Sequence, residues 1–521
     1  MEQATNLMKS FSLPNFDRKD ALPVVSIAAA ASIFYASYRL ISSSEEKRLN
    51  FKKIPIPSSS YPVVGHMMSL GKFPGKTVSE WHRKLGPILN LRMGNQNWIM
   101  IDDPILAHKV FVTNGAETSY RPSNLFALEY HNMGGKGVSF SQPDGHWKTS
   151  RAAALNVLAP KHIDSYMPLI HEEAKDLAIR LMESSEKEGG INPFKYLELN
   201  STNVINKTVF GKGFESVEDP AFLKMVHIAE DTTTHCALEN DLGNIHPLFS
   251  VYDYFFNKDA ERRNFFLKDR NPFFRKLIEE ASVSQDYNVI KALLENGFKV
   301  SDDEVLAIAA DLIIGGTDTT SVSLAWNIAI MCNYPEFQKK AADEIDEFVK
   351  SNGRLPSFKE RSHLPYCISV IKESMRFRPI TPFGLPHFTK EDIYVDEYII
   401  PKGSTLISTM SSMHMNPNYY SEPEKFNPAR FLNNTKSMQS SANGKIEERD
   451  HFNFGWGRRI CPGIYLAEAE MFIAFVEIFS RCFVEPTSDG PPNLNTERVS
   501  SLTILPVDYR VKFTKRTSNL T

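Results

Sequence analysis

The amino-acid sequence predicts a mainly α protein with small β-sheets, an α+β arrangement dominated by one large folded body. Apolar residues recur at helical spacing in four long stretches, at 159–185, 302–332, 335–351 and 464–482. Strand-like pieces are short and recur near 388–408 and 499–514, and a hairpin is expected where residues 87–93 and 97–101 flank Gly94–Gln96. No internal repeat of solenoid period is visible in the sequence.

Composition and charge restrict the class of protein. The 521 residues are 42% hydrophobic and 23% charged, which provides ample material for a large core. A net charge of -3 creates no basic field of the kind that attracts nucleic acid, so nucleic acid is excluded as a partner. The five cysteines are scattered without a CxxC pair, which favours a reducing compartment over a disulfide framework or a zinc site.

An uncharged segment near the N-terminus predicts a membrane anchor. Residues 21–38 carry no charge and span about 27 Å as a helix, which is just enough for a bilayer core. We assign 1–20 as an N-terminal segment and 21–41 as a transmembrane anchor. Five basic residues follow within fifteen positions against three before it, so the positive-inside tendency places the rest of the chain in the cytosol. A cleaved signal peptide is the alternative, although the odd cysteine count disfavours secretion.

The remaining boundaries follow from proline and polar runs. Residues 42–65 form a basic, proline-rich hinge, because prolines prevent helix continuation and favour an extended connector. The folded domain is assigned to 66–515 and a C-terminal tail to 516–521. Residues 433–450 are mostly polar and predict a surface insertion.

The longest predicted helix carries an unusual centre. Ser301 followed by Glu304 is a capping box, and Pro335 marks the end of a helix of about thirty residues. Gly315 and Gly316 each cost about 1 kcal/mol relative to alanine inside a helix, and four poor helix formers follow them. The centre of this helix therefore needs a compensating role.

Two interpretations of that centre remain open at this point. In one, another helix packs closely over the glycines while the threonines bond back to helix carbonyls. In the other, the missing side chains at Gly315 and Gly316 open a groove in which a flat ligand approaches the backbone. Asp318 and Thr319 would then provide an acid and a hydroxyl beside it.

The stretch "FNFGWGRRICPG", residues 452–463, isolates one cysteine among glycines and arginines. Cys461 could be a buried apolar thiol, a reactive nucleophile or a metal ligand, and the stretch alone does not separate the three. Glu373 and Arg376 lie three apart on one helix face, a spacing that usually means a surface ion pair. Arg430 is a second guanidinium that could share the Glu373 carboxylate in a buried network.

Taken together, these segments resemble the cytochrome P-450 (haem-thiolate monooxygenase) superfamily of the eukaryotic microsomal type. The cysteine stretch fits F-x-x-G-x-R-x-C-x-G, Glu373 and Arg376 fit E-x-x-R, and residues 315–320 fit [AG]-G-x-[DE]-T-[TS]. "NPARF" is similar to the family's P-x-R-F and "WKTSR" to its W-x-x-x-R. These motifs occur in family order from Trp147 to Gly463, so the resemblance covers nearly the whole chain and implies one haem-thiolate catalytic domain behind the anchor.

The resemblance implies a set of haem contacts. Cys461 would be the axial thiolate ligand of heme b, the iron protoporphyrin IX, with Phe454 shielding the sulfur. Gly457 and Gly463 would supply unusual backbone angles, with backbone N–H groups turned toward the sulfur. The residues expected to reach the haem propionates are Arg459, Trp147, Arg151 and His387. For His387, a satisfied core histidine is the competing interpretation.

The resemblance also implies the reaction and its partners. One oxygen atom of O2 would enter an organic substrate, with electrons from NADPH delivered by NADPH-cytochrome P-450 reductase or cytochrome b5. Asp318 and Thr319 would manage the protons that the reaction needs. The expected location is the endoplasmic reticulum membrane, with a single span and a cytosolic catalytic domain. The alternatives are a peroxide-using isomerase or peroxygenase on the same fold, and a non-catalytic haem-binding sensor.

The substrate site is the least determined feature. Family analogy places its walls in several separate segments of mostly apolar character, which suits a small lipophilic substrate arriving from membrane lipid. The same residues would serve equally well as ordinary core. The positions expected to line the site are Phe111, Phe126, Gly315, Gly316, Ile380, Phe383, Leu502 and Ile504.

Overall fold

The computed structural model describes residues 51–238, 241–246, 257–295, 297–500 and 502–516. From Lys53 onward the chain forms one compact unit. The predicted N-terminal segment at 1–20, the anchor at 21–41 and all but the first residue of the predicted tail lie outside the described residues. The domain boundaries assigned from the sequence therefore stay predictions.

Ten α-helices of twelve or more residues form the main framework of the described chain, which is mainly α as the sequence predicts. They are α1 Pro74–Leu85, α2 Gly145–Val157, α3 Met167–Glu188, α4 Phe194–Phe210, α5 Pro220–Cys236, α6 Asn271–Val283, α7 Asp302–Asn333, α8 Pro335–Asn352, α9 Pro365–Phe377 and α10 Ile464–Arg481. The predicted helix at 159–185 is divided, since a short helix Pro160–Ile163 and a 3₁₀ turn Asp164–Tyr166 precede α3.

Shorter helical pieces connect these elements. The α-helical ones are Pro104–His108, Gly115–Thr118, Leu242–Ile245, Lys258–Asn264, Val289–Glu295, Met410–His414 and Met438–Ala442. The π-helical ones are Lys109–Thr113, Phe126–His131 and Phe265–Arg270. The remaining 3₁₀ turns are Met67–Ser69, Phe358–His363, Pro428–Arg430, Ile446–Glu448 and Gly457–Arg459.

The sheets are small, as predicted. The strands are β1 Ile88–Met93, β2 Gln96–Ile101, β3 His387–Phe388, β4 Ile393–Val395, β5 Tyr398–Ile400, β6 Thr405–Ser408, β7 Cys482–Pro486, β8 Glu497–Ser500, β9 Thr503–Pro506 and β10 Val511–Lys515. The expected hairpin is present, with β1 antiparallel to β2 across a two-residue turn at Gly94 and Asn95. The largest sheet has the order β1-β2-β6-β3, and three two-stranded sheets join β7 to β10, β4 to β5 and β8 to β9.

Helix α7 runs through the main core and has the ends that the sequence predicts. Ser301 and Glu304 form the capping box, and the helix ends at Asn333 before Pro335. It is long and apolar enough to cross a membrane, but most of its apolar window is buried inside the protein. Its composition therefore reflects a central position in the core.

Two connecting segments pack more closely than the sequence suggests. Ile54, assigned to the hinge, is buried with Ile88 and Ile99, and the carbonyl of Pro55 accepts from the Asn90 N–H at 2.8 Å. The expected surface insertion 433–450 is also partly buried. Its last residue, Asp450, pairs at 2.9 Å with the fully buried ammonium group of Lys372, so its polar residues satisfy a buried charge.

These contacts predict where the folded body begins. A variant lacking residues 1–50 should keep its cooperative unfolding transition, because Ile54 and the Pro55 carbonyl remain in place. A variant that starts at His66 should lose about 2 kcal/mol through the lost burial of Ile54. Urea unfolding followed by circular dichroism would measure both. Equal stability of the two variants would show that residues 51–65 do not belong to the body.

Candidate functional site

The loop that carries Cys461 ends at the first residue of α10. The Cys461 N–H donates to the Phe454 carbonyl at 2.9 Å, which closes the loop around the 3₁₀ turn Gly457–Arg459. The thiol is half-buried. Burial raises the pKa of Cys461, while the Gly463 N–H and the charge of Arg151 oppose that rise. The surroundings of the sulfur thus include the donors that a thiolate needs.

The structure confirms the predicted backbone angle for one loop glycine and contradicts it for another. Gly457 has the expected left-handed conformation, with φ of +51°, and an added Cβ would lie 2.4 Å from the Phe111 carbonyl oxygen. The prediction for Gly463 is wrong, because its φ is -92° and it serves as the N-cap residue of α10. Gly455, with φ of +76°, is the second left-handed glycine of the loop.

Arg459 is buried beside this loop, and its hydrogen bonds to the described residues all go to backbone carbonyls. Its guanidinium donates to Ser119 at 2.9 Å, to Val138 at 3.2 Å and to Ser141 at 2.6 Å. It also lies over the indole ring of Trp147, with 4.2 Å between the guanidinium carbon and the ring centroid. The carbonyls fix its position but leave its charge without a counter-ion.

Trp147 and Arg151 lie one turn apart on α2, as predicted, and face the same region. The indole N–H of Trp147 donates to the Val138 carbonyl at 3.1 Å. Arg151 donates to the carbonyl of Ile460, the residue that precedes Cys461. Asp144 caps the helix by accepting from the Trp147 N–H at 2.9 Å. The cap therefore helps to orient both side chains.

A third arginine, Arg121, belongs to the same cluster and was missed by sequence reasoning. It donates to the carbonyls of Ser139 at 2.8 Å and Pro386 at 2.6 Å. It matches none of the motifs. The sequence offered one signal, a charged residue between Phe111 and Phe126, two positions expected to line the substrate site. Only the fold shows that this residue lies near Arg459.

The cluster fits an anionic group. Burial and mutual repulsion lower the pKa of Arg121 and Arg459, and burial lowers that of Arg151. Among the described residues, none of the three forms an ion pair with a carboxylate. The buried hydroxyls of Ser119 and Ser141 have no hydrogen-bond partner either. Buried cations and unsatisfied hydroxyls beside Cys461 are the surroundings expected for haem propionates.

Asp311 on α7 holds the loop that supports Arg459. Its carboxylate accepts the backbone N–H groups of Val138 at 2.7 Å and Ser139 at 3.2 Å, and it lies 2.9 Å from Nε2 of His131. Burial raises the pKa of Asp311, but these donors together hold it below its ordinary value. This carboxylate thereby fixes the position of Val138, whose carbonyl accepts hydrogen bonds from both Trp147 and Arg459.

His387 is more consistent with the core interpretation. Its Nδ1 lies 2.9 Å from the Thr118 carbonyl oxygen, so this nitrogen carries the proton. Burial, followed by the charge of Arg121, lowers the pKa of His387 well below its usual value and keeps the ring neutral. In this tautomer Nε2 is an acceptor and has no proton to donate to a carboxylate.

The two glycines of α7 separate the two interpretations of the helix centre. An added Cβ on Gly316 would lie 2.7 Å from Cγ1 of Ile205 on α4, so this glycine permits close helix packing. An added Cβ on Gly315 would meet no atom within 4 Å, and the residue is exposed. The close-packing interpretation therefore accounts for the glycine at 316, and the groove interpretation accounts for the glycine at 315.

Asp318 and Thr319 lie beside this opening but have separate partners. Thr319 Oγ1 donates to the Gly315 carbonyl at 2.7 Å, as expected for a threonine that bonds back within a helix. Asp318 Oδ2 accepts from Thr503 Oγ1 at 2.7 Å. Burial raises the pKa of Asp318 to about 6. Its carboxyl group can therefore gain or lose a proton near neutral pH.

Glu373, Arg376 and Arg430 form the buried network considered from the sequence, and the simpler surface-pair interpretation is wrong. The Arg376 guanidinium binds both oxygens of Glu373, at 2.7 and 2.9 Å, and both side chains are fully buried. Nε of Arg430 lies 3.2 Å from Oε1 of Glu373, and the Asn427 N–H donates to the same oxygen at 2.8 Å. One carboxylate thus joins α9 to the segment at 427–430.

The predicted substrate residues divide into covered and accessible positions. Phe111 packs edge-to-face on His387, and Phe126 stacks on Tyr130 and Phe266, so neither ring is free to form a substrate wall. Ile504 is also buried, in a separate hydrophobic cluster, whereas Phe383 is partly buried against another cluster. The more accessible candidates are the exposed Gly315 and Leu502 and the partly buried Gly316 and Ile380.

Comparison with known proteins identifies the class. The family model for cytochrome P450 matches residues 55–513. Steroid 17-alpha-hydroxylase/17,20 lyase of Felis catus is 27% identical over 482 residues, covering 88% of this chain and 92% of the relative. Trans-cinnamate 4-monooxygenase of Catharanthus roseus is 29% identical over 456 residues, covering 84% and 87%. A zebra fish cytochrome P450 structure with progesterone has a TM-score of 0.71 at 25% identity, covering 85% of this chain and 99% of that one.

The chain belongs to the cytochrome P450 family. It is a monooxygenase of the haem-thiolate class, whose members use O2 and hold haem through a cysteine thiolate.

The two loop glycines give a matched pair of predictions. Gly457→Ala should sharply reduce the haem content of the purified protein, because the new methyl group would overlap the Phe111 carbonyl in a left-handed conformation that costs about 1–2 kcal/mol. Gly463→Ala should retain haem, since its φ is ordinary and the nearest atom to an added Cβ, the Cys461 sulfur, lies 3.9 Å away. The haem-to-protein absorbance ratio measures both, and equal ratios would contradict the assigned backbone roles.

The buried network predicts a large loss of stability. Glu373→Gln keeps the shape of the side chain but leaves two guanidinium groups without their charge partner, so unfolding should become easier by about 3–5 kcal/mol. Glu360→Gln is the matched control, because Glu360 binds Arg354 at 2.7 Å in an exposed pair that solvent screens. Urea unfolding compares the two variants, and similar losses would show that the buried carboxylate has no special role.

Proposed function

We propose that the protein inserts one oxygen atom of O2 into a small lipophilic substrate, using NADPH-derived electrons delivered by NADPH-cytochrome P450 reductase or cytochrome b5. The observation that carries the proposal is the pair Asp318 and Thr319, an acid and an alcohol beside the open face of α7 at Gly315. Such a pair serves the controlled delivery of protons, which a monooxygenase requires.

The residues around Cys461 would hold the haem. Cys461 would ligate the iron, and Arg121, Arg151 and Arg459 would provide charge and N–H groups for the propionates. Trp147 would support the Arg459 guanidinium through its ring, because its indole N–H is donated to the Val138 carbonyl and is not free for a propionate, contrary to the prediction. Haem bound in this way supplies the reductive activation of O2 and the transfer of one oxygen atom. The polypeptide's contribution is to stabilise the sulfur as a thiolate and to neutralise the propionates with buried cations.

Thr319 and Asp318 would move the protons. The Thr319 hydroxyl can exchange its bond to the Gly315 carbonyl for one directed into the open space next to that residue. Asp318 can replace the proton that leaves Thr319, because its raised pKa keeps a protonated fraction near neutral pH. A peroxide-using isomerase or peroxygenase has no need of this relay, and neither has a non-catalytic haem sensor. The pair therefore favours the monooxygenase.

Other features support the proposed substrate class and membrane location. The accessible side chains of Ile380 and Leu502 are apolar, which suits a lipophilic molecule. The similar proteins named above include a steroid hydroxylase and a cinnamate monooxygenase. The uncharged run at 21–38 supports a single-span anchor in the endoplasmic reticulum membrane, with the catalytic domain in the cytosol.

Reconstitution tests this function directly. The full-length protein, combined with NADPH-cytochrome P450 reductase and a panel of lipophilic compounds, should form products that carry one labelled atom from ¹⁸O₂. Thr319→Ala should divert about tenfold more of the NADPH consumed into hydrogen peroxide while haem stays bound, since the alcohol no longer directs the proton. Product mass spectrometry and peroxide assay measure these outcomes.

Two controls separate the alternatives. Turnover that requires a hydroperoxide and ignores NADPH would support the peroxide-using class instead. The reduced protein under carbon monoxide should show the red-shifted Soret band of a thiolate ligand. An imidazole-type band would remove Cys461 from the iron and overturn the proposal.

A further inference from the structure

The hydrogen bond from Thr503 to Asp318 has no place in the function described so far. Thr503 is buried and is the first residue of β9, and its hydroxyl donates to Asp318 Oδ2 at 2.7 Å. Asp318 therefore has a partner on a different element from Thr319, although the two residues are adjacent in sequence. In this conformation the acid is held by the β8–β9 hairpin while the alcohol bonds within α7.

The position of Thr503 is fixed by bonds on either side of it. The carbonyl of the next residue, Ile504, accepts from Trp326 Nε1 on α7 at 2.7 Å. The Ile504 N–H donates to the Ile380 carbonyl at 2.6 Å. Because α7 itself anchors the strand about two turns beyond Thr319, the Thr503 hydroxyl meets Asp318 at a defined point.

One face of α4 packs against the part of α7 that carries Gly316 and Val322. Phe194 packs against the cluster of Val322, Trp326, Ile504 and Leu505, and Ile205 lies against Gly316. Glu198 lies four residues after Phe194 and seven before Ile205, so all three share one face of α4. Glu198 therefore lies on α4 between a residue that packs on the Val322 cluster and one that packs on Gly316, and the charge of Asp318 acts on its carboxyl group.

We propose that Thr503 is a positioning residue that holds Asp318 in a proton-loading orientation, and that Glu198 reloads Asp318 with protons from solvent. The proposal rests on the proposed function, since it concerns the supply of protons to Thr319. Each proton that leaves at the Thr319 hydroxyl is replaced by one from Asp318. Glu198 then protonates Asp318 and regains its own proton from water, so the route returns to its starting state after each transfer.

Burial and the surrounding charges keep Glu198 protonated near neutral pH. Burial, with the charges of Asp318 and Glu230 adding to it, raises the pKa of Glu198 to about 8. Glu198 is only half-buried and so reaches solvent. Glu230 also raises the pKa of Asp318, and Arg498 on β8 lowers the pKa values of both carboxyl groups. At pH 7 Glu198 therefore holds a proton in reserve, and because its pKa is the higher of the two, that proton moves to Asp318 only as Thr319 draws protons away from Asp318.

Removing the Thr503 hydroxyl tests the positioning role. In the haem-loaded ferric protein, infrared difference spectra between pH 5 and 9 report protonated carboxyl groups, and Asp318→Asn identifies the band of Asp318. Thr503→Val should raise the titration midpoint of Asp318 by about one pH unit, because it removes a donor to the charged form. Thr503→Ser keeps the hydroxyl and should restore the wild-type midpoint.

The matched controls lie on exposed surfaces. Thr514→Val removes a similar bond, from Thr514 to Glu485 at 2.6 Å, and should leave the Asp318 band unchanged. Glu198→Gln should abolish the carboxyl titration near pH 8, whereas the change of exposed Glu183 to Gln should not. If Thr503→Val fails to fold, Thr503→Ala provides the same test with a smaller side chain.

A second measurement follows the protons in turnover without a known substrate. With NADPH and cytochrome P450 reductase but no added organic compound, the enzyme reduces O2 either to peroxide or to water. Reduction of O2 to water consumes more protons than reduction to peroxide. Thr503→Val and Glu198→Gln should therefore each reduce the rate of water formation about tenfold, which is a smaller effect than removal of the Asp318 carboxyl group itself. A wild-type protein that consumes no NADPH would count against the proposed function alone. An unchanged Asp318 midpoint in Thr503→Val, or a Glu198→Gln variant that makes water at the wild-type rate, would overturn the inference.

Discussion

Buried positive charge beside Cys461 is the constraint on which the site depends. Arg121, Arg151 and Arg459 lie together out of water and hydrogen-bond to backbone carbonyls, and among the described residues they have no carboxylate partner. Burying unpaired cations costs several kcal/mol each, so the folded body is complete only when an anionic group joins them. The haem of this family carries two propionates, which explains why the protein can keep such a cluster.

The surrounding architecture maintains that cluster from several directions. Asp311 on α7 binds the loop at Val138 and Ser139, and carbonyls of that loop receive Arg459 and Trp147. The same helix carries Gly315, Asp318 and Thr319 a turn or two further on. Helix α7 therefore positions both the arginine cluster and the acid–alcohol pair. It tolerates two glycines in its interior because the packing of α4 on Gly316 offsets their low helix propensity.

Buried carboxylates divide into two kinds in this molecule. Glu373 is surrounded by hydrogen-bond donors and two guanidinium groups, which join distant segments. Asp318 and Glu198 have fewer donors, so burial raises their pKa values toward neutrality. The first kind holds the structure together, and the second kind can exchange protons. This contrast gives a physical reason to assign a structural role to one carboxylate and a chemical role to the other two.

The sequence by itself determined the features that local chemistry encodes: the capping box at Ser301, the β1–β2 hairpin, the long helices and the motif around Cys461. It could not decide which of two adjacent glycines packs and which stays open, nor that Gly463 has an ordinary backbone angle. Only the tertiary structure brought Arg121 and Thr503 to the site, because their partners lie far away in the chain. Residues that act through long-range contacts leave no periodic or spacing signal, and folding alone places them.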